Sequence, residues 1–190
     1  YILGMNSKDK ITYISNWIKD YALSINKNPT TLVIGVSGGV DSALTSTLCA
    51  LTGLKTIAVS MPIKQNSSQH DLSLRHLQFL KNKFPNVETK VVDLDNVFKT
   101  FQVVMQNFDS ELAFANSRSR LRMVTLYQIA QSNNGIVVGT GNKVEDFGVG
   151  FYTKYGDGGV DISPIADCTK SDVWELAEEI GVIKDIISAA

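Results

Sequence analysis

The stretch Leu32-Val33-Ile34-Gly35-Val36-Ser37-Gly38-Gly39-Val40-Asp41-Ser42 decides how this chain folds. Its first half is an almost uninterrupted apolar run, the pattern of a strand buried on both faces. A glycine pair follows at once, and residues 41–51 then read as a helix ended by Gly53. A buried strand that passes through glycines into a helix is the first half of a βαβ unit. The same alternation continues on both sides. Residues 11–25 predict an amphipathic helix with Ile11, Ile14, Ile18, Ala22 and Ile25 on one stripe. Residues 56–61 predict a second strand, stopped by Pro62, and residues 72–84 a helix with Leu74, Leu77 and Leu80 inward. A third strand is expected over 87–92, a helix over 96–105, and a long helix over 112–132 that ends before Asn134-Gly135. Residues 136–139 predict a fourth strand and 171–180 a last helix, with Gly181 at its C-terminal cap. Alternating strands and helices imply right-handed crossovers and an α/β fold: an open, doubly wound parallel sheet with helices on both faces. In such sheets ligands bind beyond the carboxyl ends of the strands, so loops 37–42, 60–65, 92–95 and 140–145 are expected to share one site.

Composition narrows the class. With 190 residues, 44% of them apolar, the chain is too hydrophobic to be disordered and suits one domain over residues 1–190. No repeat, low-complexity tract or linker divides it. Lys and Arg number 18 against 19 acids, a net charge of −1, so no basic field recommends nucleic acid or an anionic membrane as partner. Cys49 and Cys168 are far apart and form no CxxC. That speaks against a disulfide framework or a zinc site and for a reducing, cytoplasmic setting. No apolar run approaches the roughly 18 residues of a membrane span, and no signal-peptide pattern is present.

The glycine loop carries the chemistry. Its glycines allow a tight turn and a close approach of backbone N–H groups to a ligand. The helix N-terminus adds a positive dipole end, and the hydroxyls of Ser37 and Ser42 can donate to phosphate oxygens. It is neither GxxxxGK[ST], since the Lys is missing, nor GxGxxG. Asp41 is the informative residue. A carboxylate 4 Å from a phosphate is repelled by roughly 1–4 kcal/mol, which a divalent cation between them would reverse, as Mg²⁺ on a nucleotide does. The plainer alternative is an ordinary strand–turn–helix with Asp41 or Ser42 as N-cap. Ser37-Gly38-Gly39-Val40-Asp41-Ser42 resembles the SGGxDS pyrophosphate loop of the N-type ATP pyrophosphatases, which adenylate a substrate by cleaving ATP between its α and β phosphates. The resemblance implies an adenine nucleotide alpha hydrolase-like, Rossmann-like fold.

Three further segments select within that superfamily. Asn116-Ser117-Arg118-Ser119-Arg120-Leu121-Arg122-Met123 places three arginines on one helix. Arg118 and Arg122 share a face, whereas Arg120 points about 200° around the axis from Arg118. A solvated face accounts for two of them, so at least one is expected to meet a phosphate, a carboxylate or a neighbouring acid. Val138-Gly139-Thr140-Gly141-Asn142-Lys143-Val144-Glu145 leaves the fourth strand at the edge where Asp41 emerges, with capping as the alternative role for Thr140 and Glu145. Residues 151–165 hold three glycines, two acids, a lysine and three aromatics, which makes a folded loop suited to binding. Tyr155 and Phe151 either cover the core or flank a flat heteroaromatic ring.

Together these segments are similar to the ammonia-dependent NAD synthetase family, in the order SGGxDS, ARxRM, VVGTxxxxE, GFxTKYGDGG(V/T)DI(N/S)P and a Lys opening the next helix. Departures are few. Ser163 stands where the family usually has Asn, Ser119 where it often has Ala, and Asp146 supplies a second acid after Glu145. The resemblance implies amidation of deamido-NAD by ammonia, with ATP as co-substrate and Mg²⁺ as cofactor. It implies ATP contacts from Gly35, Val36, Ser37, Gly38, Gly39, Val40, Asp41, Ser42, Thr140 and Lys170, and metal ligation by Asp41 and Glu145. Arg120, Lys154 and Asp161 transfer onto deamido-NAD contacts; Asp157, Lys170 and Ser42 are the catalytic candidates, Asp157 as the group that captures ammonium. The family also implies a homodimer and a chain that continues past residue 190, so this stretch is expected to lack a C-terminal segment and to be poorly active alone. Nothing upstream of Ser37 has room for a glutaminase domain, so free ammonia is the expected nitrogen source. The alternatives are another enzyme with this loop, of the GMP synthetase or tRNA thiolase type, and a non-catalytic adenine-nucleotide-binding module. A thiolase would need reactive paired cysteines and a basic surface, and a mere binder has little use for Asp41, Glu145 and Lys170.

Overall fold

The computed structural model describes residues 4–25, 30–64, 66–143 and 153–190. Its elements run α1 (Ser7–Ile25), β1 (Thr31–Gly35), α2 (Val40–Leu51), β2 (Thr56–Ser60), α3 (Ser67–Lys83), β3 (Val87–Val91), α4 (Asp95–Val104), α5 (Glu111–Ser132), β4 (Gly135–Val137), α6 (Lys170–Ile180) and α7 (Lys184–Ser188). The four strands form one parallel sheet in the order β3-β2-β1-β4, so the chain reverses direction across the sheet after β3. That reversal puts a crevice at the carboxyl end of β1, between β1 and β4.

Alternation of side chains along the strands makes the two layers. Leu32, Ile34, Ala58 and Ile136 face α1, α2, α3, α6 and α7, in a core with Ile18, Leu44, Leu48, Leu80 and Leu176. Val33, Ile57, Val59 and Val137 point the other way, against Phe98 of α4 and Phe114 and Ala130 of α5. Both faces of the central strands are therefore dry, which is why β1 reads as a continuous apolar run rather than an alternating one.

The expected elements are all present, with shifts that have local causes. α3 begins at Ser67 rather than 72 because the Asn66 side chain accepts the Ser68 N–H and caps the helix. Leu74 of α3, expected inward, is exposed, and Ser73 and His76 take the buried positions instead. Loop 92–95, expected at the site, stays outside it, with Asp95 accepting the Lys64 N–H and pairing with Lys99. Gly181 ends α6 with φ +90°, as its cap position demands.

His76 creates a pH dependence. It is fully buried with Nε2 2.9 Å from Ser46 Oγ, and Nδ1 finds no partner among the described residues. Burial holds its pKa down at about 4, below the ordinary 6.5. The unfolded chain therefore binds a proton that the folded chain refuses between those values. Stability falls as pH drops from about 6.5 toward 4, by about 3 kcal/mol in full. Denaturant unfolding of the native protein and of His76→Gln across that window checks this: the variant is expected to lose most of the slope.

Candidate active site

The serine–glycine loop springs from β1 and is braced by its own hydroxyls. Ser42 Oγ accepts the Ser37 N–H at 3.1 Å and donates to the Gly39 carbonyl at 3.2 Å, while Gly39 N–H donates to Ser37 Oγ at 3.2 Å. The N-cap of α2 is Gly39, with no side-chain cap, so neither Asp41 nor Ser42 performs the capping role. The first amides of the helix keep their donors for a ligand. Gly38 lies at φ +95° and presses against α3, where a Cβ would stand 2.3 Å from the Gln69 carbonyl oxygen.

Beyond the ends of β1 and β4 opens a cavity of about 420 Å³. Ser37, Ser42 and Gln69 line one part of it, Val138, Gly139 and Thr140 another. The rest comes from Gly35, Val36 and Met61, from Ser119, Arg122, Met123 and Leu126 of α5, and from the loop holding Thr153, Gly156, Asp157, Gly159 and Val160. That loop is pinned to α5. Asp157 Oδ1 accepts the Thr153 N–H at 2.5 Å and the Ser119 hydroxyl at 3.4 Å, and Asp157 N–H donates to Ser119 Oγ at 3.0 Å. Thr153 Oγ1 donates to Asn116 Oδ1 at 2.9 Å. Gly156 fits because a Cβ there would lie 2.3 Å from Ser119 Oγ. Residues 160–162 then run beside β4, with Val138 and Ile162 paired in parallel.

Asp41 stands in the first turn of α2, where Asn142 Nδ2 donates to its Oδ1 at 3.0 Å. Burial raises its pKa, opposed by the Asn142 hydrogen bond and by the charge of Lys170. Among the described residues no cation pairs with it within ion-pair distance. Lys170 opens α6 behind a capping box between Thr169 and Asp172, and its side chain is exposed. Glu145 and Phe151 lie outside the described residues.

The structure thus brings Gly35, Val36, Ser37, Ser42, Thr140 and Asp157 to one cavity, with Asp41 joined to Asn142 and facing the charge of Lys170. Gly38, Gly39, Val40, Asp41 and Lys170 of the expected ATP contacts, and Arg120, Lys154 and Asp161 of the expected deamido-NAD contacts, are not among the cavity-lining residues. Arg120 Nε donates to the Lys154 carbonyl at 2.9 Å, and Lys154 Nζ lies 5.1 Å from the centre of the Tyr155 ring, which is largely exposed. Asp161 uses one oxygen for the Val137 N–H at 2.7 Å and the other for the Tyr127 hydroxyl at 3.0 Å. Burial, with Asp161 beside it, pushes the Tyr127 hydroxyl up to about 12. Sequence reasoning did not single out Asn142, Ser119 or Gln69 as site residues. Asn142 carried a faint signal, lying in the same strand-end loop as Thr140; Ser119 and Gln69 had none, because their roles depend on which elements meet.

The chain is similar to known proteins over most of its length. The family model for NAD synthase matches residues 10–190. The chain belongs to the NAD synthase family. The NH(3)-dependent NAD(+) synthetase of Carboxydothermus hydrogenoformans is 35% identical over 193 residues, spanning 99% of this chain and 76% of that protein. The corresponding enzyme of Methanosarcina mazei is 36% identical, over 83% of this chain and 61% of its own length. Among solved structures, NMN synthetase from Francisella tularensis superposes with a TM-score of 0.86 at 34% identity, covering 96% of this chain and 74% of that one. The NH3-dependent NAD synthetase from Campylobacter jejuni superposes at 0.84 and 28% identity, covering 97% and 77%. As an NAD synthase family member this chain is an enzyme with the Rossmann-like parallel α/β fold of its relatives. No helix among the described residues is long and apolar enough to cross a membrane.

Proposed function

We propose that this enzyme amidates deamido-NAD with free ammonia to form NAD, cleaving ATP to AMP and pyrophosphate. One observation carries the reading: in a member of the NAD synthase family, a single cavity is lined by both the serine–glycine loop and the Asp157 loop. A carboxylate oxygen of the nicotinate attacks the α-phosphorus of ATP, and the bond from that phosphorus to the β-phosphate oxygen breaks. Ser37, Gly39 and Ser42 hold the departing pyrophosphate through hydroxyls and helix amides, with Lys170 as a point charge and Thr140 on the nucleotide. Ammonia then attacks the acyl carbon of the mixed anhydride and AMP leaves. Asp157 receives ammonium and takes its proton, its Oδ1 already fixed by Thr153 and Ser119. Arg120, Lys154 and Asp161 serve deamido-NAD from the rim.

Mg²⁺ is the proposed cofactor. Asp41 fits a hard cation: a partly buried carboxylate without an ion-pair partner among the described residues, one oxygen held by Asn142. Asp41 and Glu145 would hold the ion, which when bound neutralises phosphate charge. We also read the enzyme as a cytoplasmic homodimer. The apolar side chains Val97, Val104, Leu112 and Val124, all more than half exposed on α4 and α5, support a second copy as their cover.

Pyrophosphate release with ATP, Mg²⁺, ammonium and deamido-NAD tests the reaction. AMP and pyrophosphate are expected in step with NAD, and glutamine in place of ammonium is expected to give none. The Francisella relative is an NMN synthetase, so nicotinate mononucleotide is the competing acid; a higher kcat/KM for it would replace deamido-NAD as substrate. Asp157→Asn is expected to retain exchange of labelled pyrophosphate into ATP while losing amide formation by about 10²-fold or more. Loss of the exchange as well would take Asp157 out of the ammonia step.

A further inference from the structure

Of the three arginines on α5, only Arg122 lines the cavity. Arg118 is spent elsewhere, its guanidinium 5.2 Å from the centre of the Phe98 ring, and Arg120 binds the Lys154 carbonyl. Ser119, Arg122, Met123 and Leu126 form one stripe of α5 at helical spacing, and Arg122 is its one charged member. Arg122 Nε donates to the Met61 carbonyl, just past the end of β2, at 3.0 Å, so the guanidinium is tethered rather than free to swing into solvent.

Its electrostatics are unfavourable without a ligand. Arg122 is half-buried, and burial together with the nearby charge of Arg118 depresses its pKa. Among the described residues, every ion pair uses other cations, Lys10, Lys55, Arg75, Lys90 or Lys99, and none involves Arg122. The carboxylate that shares its cavity, Asp157, gives its Oδ1 to Thr153 and Ser119. A cation desolvated beside a like charge is compensated when an anion enters.

Its position says which anion. One turn toward the N-terminus of α5, Ser119 holds the Asp157 loop. One turn toward the C-terminus, Leu126 reaches Gly35, where the serine–glycine loop begins: its Cδ1 would lie 3.6 Å from a Cβ there. Arg122 therefore stands between the loop proposed for pyrophosphate and the loop proposed for the acceptor. We propose that Arg122 binds the α-phosphoryl group of ATP and, after transfer, the phosphoryl of the adenylated intermediate. This rests on the adenylation reading above and adds to it a residue for the group at which bonds change.

Equilibrium binding of AMP, adenosine and inorganic pyrophosphate to the intact protein tests it, with Arg122→Gln and Arg122→Lys beside the parent. The parent is expected to prefer AMP to adenosine by about tenfold or more, the worth of a charge-assisted hydrogen-bonded pair. Arg122→Gln should erase that preference and leave adenosine and pyrophosphate affinities within about twofold; Arg122→Lys should keep part of it. An unchanged AMP-to-adenosine ratio in Arg122→Gln overturns the assignment. So does an unchanged ratio accompanied by weakened deamido-NAD binding, which would move Arg122 to the acid substrate. If circular dichroism shows Arg122→Gln unfolded, Arg122→Lys decides alone, a ratio lowered about threefold supporting the assignment and an unchanged one refuting it. The two readings fail separately. A ratio that depends on Arg122 in a protein that amidates neither acid removes the proposed reaction and leaves this site. Amidation with a ratio that ignores Arg122 does the reverse.

Discussion

Asp41→Asn is expected to melt at a higher temperature than the parent at neutral pH and without Mg²⁺, yet to turn over about 10²-fold or more slowly. The stability half follows from the sign of its pKa shift. Burial raises the carboxyl above its ordinary value, so the folded chain holds this proton more tightly than the unfolded chain does. The stabilisation this supplies is complete below the unfolded value near 4 and is lost as pH rises through the folded one. A charged Asp41 is a partly buried anion that folding must desolvate, against the opposing help of Asn142 and Lys170. The amide removes that charge and its Oδ1 can still accept from Asn142. The activity half follows from the proposed metal role, since a metal's charge stabilisation in the transition state is worth several kcal/mol. Thermal melting against pH and steady-state rates against Mg²⁺ check the two halves separately. A lower melting temperature would contradict the burial argument, and parental turnover at limiting Mg²⁺ would remove Asp41 from the metal.

Gly38→Ala is expected to damage both fold and turnover. At φ +95° a side chain is already strained, by about 1–2 kcal/mol. The new Cβ would also stand 2.3 Å from the Gln69 carbonyl oxygen, part of the α3 backbone that cannot turn aside as a side chain could. Overpacking adds about 1–3 kcal/mol, so the melting temperature should fall by roughly 10 °C in a chain of this size. The loop must retreat from α3, taking Ser37, Gly39 and Ser42 away from the proposed phosphate positions. Gly53→Ala serves as the comparison, because it too has a positive φ but meets nothing within 4 Å. If Gly38→Ala cost no more stability than Gly53→Ala, the close approach to Gln69 would be unimportant.

Much of the candidate site was legible because its groups are local in sequence. Ser37, Gly38, Gly39, Asp41 and Ser42 fall within six consecutive residues, and the physics that suits them to the proposed phosphate cradle operates over one turn. Composition marked the loop around Asp157 as too rich in glycine and charge to be a regular element, while the role proposed for Asp157 came only from the family resemblance. The arginines divided. Periodicity put Arg118 and Arg122 on one face, yet their ends go to different places: one over Phe98, the other into the cavity. A long side chain is steered by its surroundings, so helical phase alone cannot assign its end. Leu74 failed in the same way, since the buried stripe of α3 is shared with Ser73 and His76, polar residues that hydropathy does not count as core.

By itself the sequence determined the alternation of elements, the dryness of β1 on both faces and the turn from Gly35 into α2, because backbone preference and hydrophobic period act over a few residues. Only the tertiary structure decided that Asn142 meets Asp41 across 101 positions of chain, that Ser119 pins Asp157, and that Arg122 is the arginine lining the cavity. Those pairings follow from the strand order β3-β2-β1-β4, which brings the loops after β1 and β4 side by side under α5. Contacts between distant residues are set by how the layers stack, and no local pattern carries that information.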